Sequence, residues 1–258
     1  MVLKFGPDNP PIVIDNGTGL LKVGYSGEME PRAVVPMILG RPKHMKVIAD
    51  RNSDECFVGD IAGGREVTNY LKHLLTERGY KLITTCEHEI ARDVKENLCY
   101  VAMDYGKELQ FSQGDKKMYE MTYRLPDGQL LNIGSERFRA PELMFDPKLA
   151  GYEMNGIHTA TNETILACGM DVRKSFWSNI ILTGGGTMFR GFPERLRKEL
   201  HRLAPKGATV KVMASPERKY SVWIGGAVLA SLSTFNEMWV TREEYNEFGL
   251  EIVHQKCV

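Results

Sequence analysis

A short polar segment near the start of the chain has the residue types that suit phosphate binding. Residues 15–19 read Asp-Asn-Gly-Thr-Gly, between apolar runs at 12–14 and 20–25. Apolar runs around an Asn-Gly pair are typical of a β-hairpin with a tight turn. Glycines in such a turn leave backbone N–H groups bare, so that several can point at phosphate oxygens. An ordinary Asn-Gly hairpin without a ligand is the alternative.

Two charged residues of the same hairpin extend this prediction. Asp15 ends the first strand and could hold a divalent cation directly or through its waters. Lys22 lies at the beginning of the return strand and can reach the same phosphates as a point charge. The sequence therefore predicts a phosphate and cation site at this hairpin.

A second glycine segment follows a buried-strand candidate far downstream. Residues 179–183 are mostly apolar, Gly184-Gly185-Gly186 comes directly after them, and a helix is predicted from about Pro193. A strand that ends in glycines before a helix is an arrangement in which the backbone approaches a nucleotide. A tight turn would explain three glycines equally well, but two glycine segments after apolar strands favour a nucleotide.

Charged residues in two helical contexts are candidates for the same ligand. Arg92, Lys95 and Glu96 fall within one turn of a predicted helix and can face one direction. Glu96 could accept hydrogen bonds from ribose hydroxyls, and Lys95 could lie over a base or reach phosphate. A solvated helix face is the alternative. Lys219 stands just before an apolar helix, where a cation is poorly placed for the helix dipole, although it could be a simple helix flank.

The elements that must position these residues alternate between strands and helices, which indicates an α/β fold. Further strands are predicted at residues 119–124, 130–133 and 209–213. Helices are predicted at residues 66–78, 87–103, 141–145, 160–170, 193–203 and 222–235. Glycines at 225 and 226 in the last helix indicate close packing against another element.

The composition is that of an ordinary globular protein and excludes several function classes. The 258 residues hold 33 basic and 33 acidic side chains, so no net charge favours nucleic acid or a membrane surface. Five cysteines without a C-x-x-C spacing fit a reducing compartment, and Cys99 and Cys168 are expected to be buried thiols. No apolar run reaches the ~18 residues of a membrane span, and the N-terminus has no signal core. A cytoplasmic or nuclear protein is expected.

Longer strings of residues resemble the actin family, and conventional actin more closely than distant actin-related proteins. The strings cover nearly the whole chain. They are residues 15–19 with Lys22, 31–34, 40–42, 75–80, 95–102, 125–129, 136–139, 156–158, 216–226, 229–235 and 252–254.

The resemblance implies an actin-like ATPase fold, with ribonuclease H-like lobes around a cleft that binds ATP or ADP with Mg²⁺ or Ca²⁺. Its four subdomains would be 1–36 with 222–258, then 37–60, 64–152 and 153–221, of which the first and the last are incomplete. The first hairpin and the glycine segment would then close on one nucleotide from opposite lobes.

The resemblance also implies a set of nucleotide residues, while no catalytic residue is predicted. Asp15 would face the hydrated cation. Thr18 stands where actins usually carry Ser, Phe189 where they carry Tyr, and Gly186 where they carry Thr. The implied nucleotide residues are Asn16, Gly17, Thr18, Gly19, Lys22, Arg92, Lys95, Glu96, Gly184, Gly185, Gly186, Met188, Phe189 and Lys219.

The partners implied by the resemblance are other actin subunits and actin-binding proteins, in the cytoskeleton of the cytoplasm, with neither nucleic acid nor membrane insertion. Residues 44–54 resemble the loop that inserts into a neighbouring subunit of the filament. Leu229, Leu232, Thr234 and Met238 match one wall of the apolar groove where actin-binding proteins dock. Burial against the core is the alternative, above all for Leu229.

One departure from the family lies between Asp60 and Gly64. Actins carry a long stretch there, about the size of a small domain, with the second phosphate loop, the hinge, and the glutamine and histidine that position the attacking water. A second Asp-x-Gly-x-Gly pattern is absent from this sequence. Hydrolysis depends on positioning water, so its rate should fall by many orders of magnitude. Nucleotide affinity should fall too, and the inner sheet should leave apolar edges uncovered.

Three functions stay open at this point. The first is a cytoskeletal actin that binds ATP and assembles into filaments. The second is a nucleotide-binding protein that does not hydrolyse ATP and caps or poisons filaments. The third is a fragment without a stable fold or independent activity. A sugar kinase that shares the ATPase fold is a minor alternative, for which the sequence has no substrate motif.

Overall fold

The computed structural model describes residues 2–3, 10–16, 20–36, 63–80, 84–114, 116–125 and 128–256. The chain is mixed α/β and divides into two compact units, one formed by residues 1–40 and 220–258 and the other by residues 41–219. Among the described helices, none combines the length and the apolar character that crossing a membrane would require.

The described strands and helices have the following bounds. The strands are β1 (Val2–Leu3), β2 (Ile12–Asn16), β3 (Leu20–Tyr25), β4 (Ala33–Pro36), β5 (Met121–Arg124), β6 (Leu130–Ile133), β7 (Ile180–Ile181) and β8 (Val212–Met213). The helices are α1 (Gly64–Glu77), α2 (Thr85–Leu98), α3 (Tyr105–Gly114), α4 (Lys116–Tyr119), α5 (Glu136–Glu142), α6 (Ile157–Ala167), α7 (Met170–Ser178), α8 (Phe192–Leu203), α9 (Ser221–Ser231), α10 (Arg242–Phe248) and α11 (Glu251–Lys256). Short 3-10 helices cover Pro147–Ala150, Gly185–Thr187, Pro216–Lys219 and Ser233–Met238.

The first unit is built on an antiparallel sheet in the order β1-β2-β3-β4. Strands β2 and β3 form the predicted hairpin, in a register that places Asp15 opposite Lys22. The hairpin prediction is therefore confirmed for its two strands. The turn between them, residues 17–19, lies outside the described residues.

Helix α9 packs on this sheet through one large and one small residue. Trp223 is fully buried, and its Nε1–H donates to the carbonyl oxygen of Val13 at 3.2 Å. Gly226 lies so near the same strand that an added Cβ would stand 3.2 Å from Cγ1 of Val13. The close packing predicted from the two glycines is confirmed at Gly226, whereas Gly225 has no such neighbour within 4 Å among the residues that the structure describes.

The second unit has its own apolar core, to which α1 contributes the face predicted from its sequence period. Val67, Leu71, Leu74 and Leu75 of this helix are buried. The helix ends at Glu77, and Gly79 takes a φ of +100°, a left-handed conformation that glycine adopts at little cost. The predicted start and stop of this helix are thus confirmed to within two residues.

Helix α2 is shorter than predicted, because its C-terminal neighbours pair with another segment. The helix ends at Leu98, and Cys99 takes extended backbone angles. The N–H of Val101 then donates to the carbonyl oxygen of Arg190 at 2.9 Å. This backbone pairing outweighs the helical pattern, so the prediction that the helix extends to about Met103 is wrong.

Other boundaries also differ from the predictions. Helix α5 begins at Glu136 rather than at Pro141, and α9 ends at Ser231, where Leu232 takes extended angles. The helix expected at 160–170 covers Ile157–Ala167, and the separate helix α7 after Gly169 was not predicted. Extended backbone at Cys168 separates the two helices, with a ψ of 164°.

The parallel strands β7 and β8 are reduced to two residues each, against five predicted in both places. Leu182, just after β7, is buried in the core of the unit, whereas Ile181 is 70% exposed. Parallel sheets are normally covered on both faces. An uncovered isoleucine on this short sheet agrees with the expectation that the missing central stretch leaves apolar surface bare.

The two cysteines whose side chains the structure describes differ in burial. Cys99 is buried, and burial raises the pKa of its thiol to about 12, so it is an inert core residue. Cys168 ends α6 in a half-buried position. The expected burial is confirmed for Cys99 and is only partial for Cys168.

Candidate functional site

Several predicted nucleotide residues of the second unit meet at the start of α1. Lys95, on α2, donates from Nζ to the carbonyl oxygen of Gly64 at 2.9 Å. Gly186 lies near the same residue, because an added Cβ would stand 3.8 Å from the Gly64 nitrogen. Nζ of Lys219 is 3.7 Å from Oε2 of Glu96. The structure thus brings together Lys95, Glu96, Gly186 and Lys219, which we call the Gly64 cluster.

Gly64 itself was missed by the sequence analysis. It is the first residue of α1, and Gly63 before it donates its N–H to the Glu66 carboxylate at 3.0 Å. The pair of glycines directly before an amphipathic helix was a signal that could have indicated close backbone approach. Gly64 therefore joins the predicted residues as a candidate, on geometry alone.

The glycine loop, residues 184–187, is held in shape by Arg218. The N–H of Gly184 donates to the Arg218 carbonyl oxygen at 2.8 Å. The Arg218 guanidinium in turn donates from Nε and Nη2 to the Thr187 carbonyl oxygen at 3.3 and 3.1 Å. Gly184 has a φ of +89°, which favours glycine at this position. Arg218 was not singled out from the sequence, and its only signal was its place beside Lys219.

The glycine loop leaves open space around its middle residues. Among the described residues, no heavy atom outside the neighbouring residues lies within 4 Å of the position that a Cβ on Gly185 would take. At Gly186 the one such atom in the described part of the chain is the Gly64 nitrogen. Backbone with open space beside it would allow a ligand to come close to the loop.

The charge balance of the Gly64 cluster favours an anionic ligand. Lys95 is only 8% exposed, and burial lowers the pKa of its ammonium group. A nearby phosphate would stabilise the charged form of such a lysine. Arg92 instead forms an ion pair with Glu89, with Nη2 and Oε2 2.5 Å apart. Among the charged candidates on α2, Lys95 is therefore the best placed for phosphate, and Glu96 for hydroxyl groups.

Met188 and Phe189 lie on a cleft of about 480 Å³ beside the glycine loop, which we call the arginine cleft. Phe189 is 7% exposed and Met188 is 38% exposed. Four charged and two apolar residues also line this cleft: Arg190, Glu194, Arg197, Arg218, Val212 and Ala214. Both predicted residues are thus placed beside basic side chains.

In the first unit, the predicted cation and phosphate residues form an ion pair. Nζ of Lys22 donates to Oδ2 of Asp15 at 2.6 Å, and the two side chains are largely buried. Within the described part of the chain, no three His, Cys, Asp or Glu side chains form a group that could hold a metal ion. A lone carboxylate suits Mg²⁺, which keeps several waters and is otherwise held by phosphates. Residues 17–19 and the side chain of Asn16 lie outside the described residues.

The predicted docking residues of the first unit are exposed. Leu229, Leu232 and Met238 are 57%, 48% and 54% exposed, and Thr234 is exposed as well. The alternative of core burial is therefore wrong for Leu229. The predicted subunit-contact loop, residues 44–54, lies outside the described residues.

The comparison with protein families gives a match to one family model, described as Actin. It covers two segments, residues 6–74 and 62–258, which together span nearly the whole chain and overlap at 62–74. The overlap includes Gly64, where the sequence departs from the family. Two separate segments that meet at this point are the pattern expected from a chain that lacks a central stretch.

Proposed function

Because this chain belongs to the actin family, we propose that it is an actin-like protein that binds ATP or ADP with a divalent cation and interacts with actin filaments. Membership in the family implies the actin-like ATPase fold. The observation that carries the proposal is the Gly64 cluster, where a buried lysine, an open glycine loop and the Glu96–Lys219 pair meet.

The proposed roles follow from the chemistry of each group. Glu96 accepts hydrogen bonds from ribose hydroxyls, while Lys219 orients Glu96 and lies along the nucleotide. Gly185 and Gly186 allow the nucleotide to approach the backbone because they carry no side chain. In the hairpin, Asp15 and Lys22 supply one carboxylate and one ammonium group, for the cation and the phosphates respectively. The bound cation would neutralise phosphate charge.

We propose that this protein binds nucleotide without hydrolysing it. Catalysis of phosphoryl transfer to water depends on holding the water in line and on stabilising the developing charge. The sequence contains one Asp-x-Gly-x-Gly pattern, at 15–19, whereas the family carries two phosphate loops. The missing stretch also contains the residues that position water in actins. Release of phosphate should therefore stay at the background rate.

The interaction with filaments is proposed from exposed apolar side chains of the first unit. Leu229, Leu232 and Met238 present apolar surface at positions that match the docking groove of actins. Ile181 of the second unit is also bare. A second candidate function follows from that exposure: a protein that binds filaments of other actins in the cytoskeleton of the cytoplasm but does not assemble by itself.

Three measurements on the full chain test these proposals. A fluorescent ATP analogue with Mg²⁺ should bind saturably and be displaced by ATP, while phosphate release stays at background. Sedimentation after addition of Mg²⁺ and ATP should leave the protein in the supernatant when it is alone. The protein should enter the pellet when preformed actin filaments are present.

Each arm has its own contradicting result. A cooperatively folded protein that fails to bind the analogue would exclude nucleotide binding. Phosphate release well above background would exclude the non-hydrolysing function. Pelleting of the protein without added filaments would favour self-assembly over the second candidate function, which is binding to filaments of other actins. A protein that stays in the supernatant both alone and with added filaments would exclude self-assembly and filament binding alike.

A further inference from the structure

We propose that the arginine cleft is a second binding site, which takes a small phosphate monoester with an apolar body. The cleft lies beside the glycine loop. Met188 and Phe189, two of the implied nucleotide residues, lie in its lining, whereas Lys95, Glu96 and Lys219 of the Gly64 cluster do not. The inference concerns the second unit alone and does not depend on nucleotide binding.

The cleft contains three arginine side chains and one carboxylate, so its walls carry a net charge of about two positive. Arg218 is anchored, because its guanidinium donates to the carbonyl oxygens of Thr187 and Ser215. Arg190 and Arg197 are exposed, and among the described residues neither forms an ion pair. One fixed and two available guanidinium groups around a cleft suit an anion.

Phosphate matches these groups better than a carboxylate does. The planar fork of a guanidinium can donate two parallel hydrogen bonds to phosphate or to carboxylate oxygens, so the charge of the anion decides between them. A phosphate monoester carries about −1.5 to −2 charges at neutral pH, which balances the net charge of the walls. Glu194, at the opening turn of α8, would repel a more highly charged polyphosphate. The cleft is therefore matched to one phosphate group rather than to a chain of them.

The rest of the cleft can accept an apolar body. Phe189 forms a nearly buried wall, and Val212 and Ala214 are half-buried beside it. A volume of about 480 Å³ falls in the range of small-molecule pockets, which is roughly 300–1,000 Å³. An aromatic phosphate such as phenyl phosphate contains both parts, and it is the probe of choice.

Isothermal titration calorimetry of the full chain with phenyl phosphate tests the proposal. The wild-type protein should bind one equivalent, and its affinity should fall with added salt. Arg197→Ala should weaken binding by about tenfold or more, because a charged hydrogen-bond donor is lost. Arg202→Ala is the matched control, since Arg202 lies on the same helix, is exposed and pairs with Glu199. Arg202→Ala should leave the affinity for phenyl phosphate unchanged. Glu194→Gln should raise that affinity, because it removes a negative charge from the cleft.

Four results would overturn the proposal. The first is the absence of saturable binding by a wild-type protein that melts cooperatively. The second is an equal effect of Arg197→Ala and Arg202→Ala, which would indicate attraction to surface charge in general. The third is stoichiometric displacement of phenyl phosphate by ATP. The fourth is the loss of phenyl phosphate binding in Lys219→Met. The third and the fourth results would both place the ligand in the Gly64 cluster instead of the arginine cleft. Thermal melts of each variant show that the chain is folded in the titration.

Discussion

Lys22 and Asp15 stand directly opposite each other on β3 and β2, and Nζ of Lys22 donates to Oδ2 of Asp15 at 2.6 Å. The two side chains are 11% and 16% exposed, so the pair is shielded from water. The residues predicted to hold phosphate and cation thus neutralise each other. A phosphate that draws Lys22 away would release Asp15 for a cation, so we expect the two ligands to bind together.

Removing Lys22 should destabilise the first unit. Lys22→Met leaves the Asp15 carboxylate without its partner in a largely buried place, which costs about 1–3 kcal/mol of unfolding free energy. Arg32→Met is the control, because Arg32 pairs with Glu28 while its own side chain is 65% exposed. That pair should contribute less than about 1 kcal/mol. Urea unfolding measures the loss of unfolding free energy in each variant. Equal losses in Lys22→Met and Arg32→Met would contradict the shielded character of the Lys22–Asp15 pair.

Gly24 should tolerate no side chain, in contrast to Gly225. A Cβ on Gly24 would stand 2.5 Å from the ring of the buried Trp223, whereas in the described part of the chain Gly225 has no such neighbour within 4 Å. Gly24→Ala should therefore cost about 1–3 kcal/mol through overpacking. Gly225→Ala, inside α9, should be neutral or add up to about 1 kcal/mol through helix propensity. Thermal melts compare them, and two equal shifts would show that Trp223 does not pack against β3.

His158 should make the protein less stable in mild acid. Burial lowers the pKa of its imidazole, and its Nδ1 is buried without a hydrogen-bond partner among the described residues. The unfolded chain takes up the proton near pH 6.5, whereas the folded chain resists it, so stability falls as the pH drops below about 6.5. His158→Gln should flatten this dependence between pH 7 and 5, as followed by urea unfolding.

The exposed His201 on α8 offers a matched control for that pH series. His201→Gln should leave the acid-side slope as it is in the wild type. A slope that responds equally to both substitutions, or to neither, would exclude His158 as its origin.

Arg218 should act as a positioning residue for the glycine loop. Arg218→Ala removes the two guanidinium bonds to the Thr187 carbonyl oxygen, and the looser loop should bind the fluorescent ATP analogue about tenfold more weakly. Glu217→Ala, at the exposed neighbouring position, is the control and should bind as the wild type does. An unchanged affinity in Arg218→Ala, with an unchanged melting curve, would exclude the positioning role.

The sequence predicted well those helices and strands that are determined by residues close to one another in the chain. The period of α1 and the apolar runs around the Asn-Gly pair of the β2–β3 hairpin were sufficient, because apolar spacing and turn residues lie within a few positions of each other. The early end of α2 was not predictable, since it depends on pairing between Val101 and Arg190, far apart in sequence. Among the described strands, β7 pairs with β8 alone, and the apolar run of 179–183 does not reveal how many strands lie beside it.

The candidate site was predicted in part for a similar reason. Lys95, Glu96 and Lys219 were found because charged residues at helix ends and in single turns stand out in a sequence. Gly64 and Arg218 were missed, because their roles arise from backbone contacts. Gly64 accepts a hydrogen bond from a lysine 31 residues away, and Arg218 donates to a carbonyl group at the same sequence separation. Such contacts exist only in the folded chain.

Photolabelling with 8-azido-ATP and Mg²⁺, followed by mass spectrometry of the peptides, tests whether a nucleotide binds at the Gly64 cluster. Because the azide is on the base, we expect labels within α2 or on residues 184–189, and we expect excess ATP to remove them. Glu96→Gln should reduce the label, while Asn97→Ala, next to it and exposed, should not. Specific label confined to other segments of a folded protein, or label that excess ATP leaves in place, would contradict nucleotide binding at the Gly64 cluster.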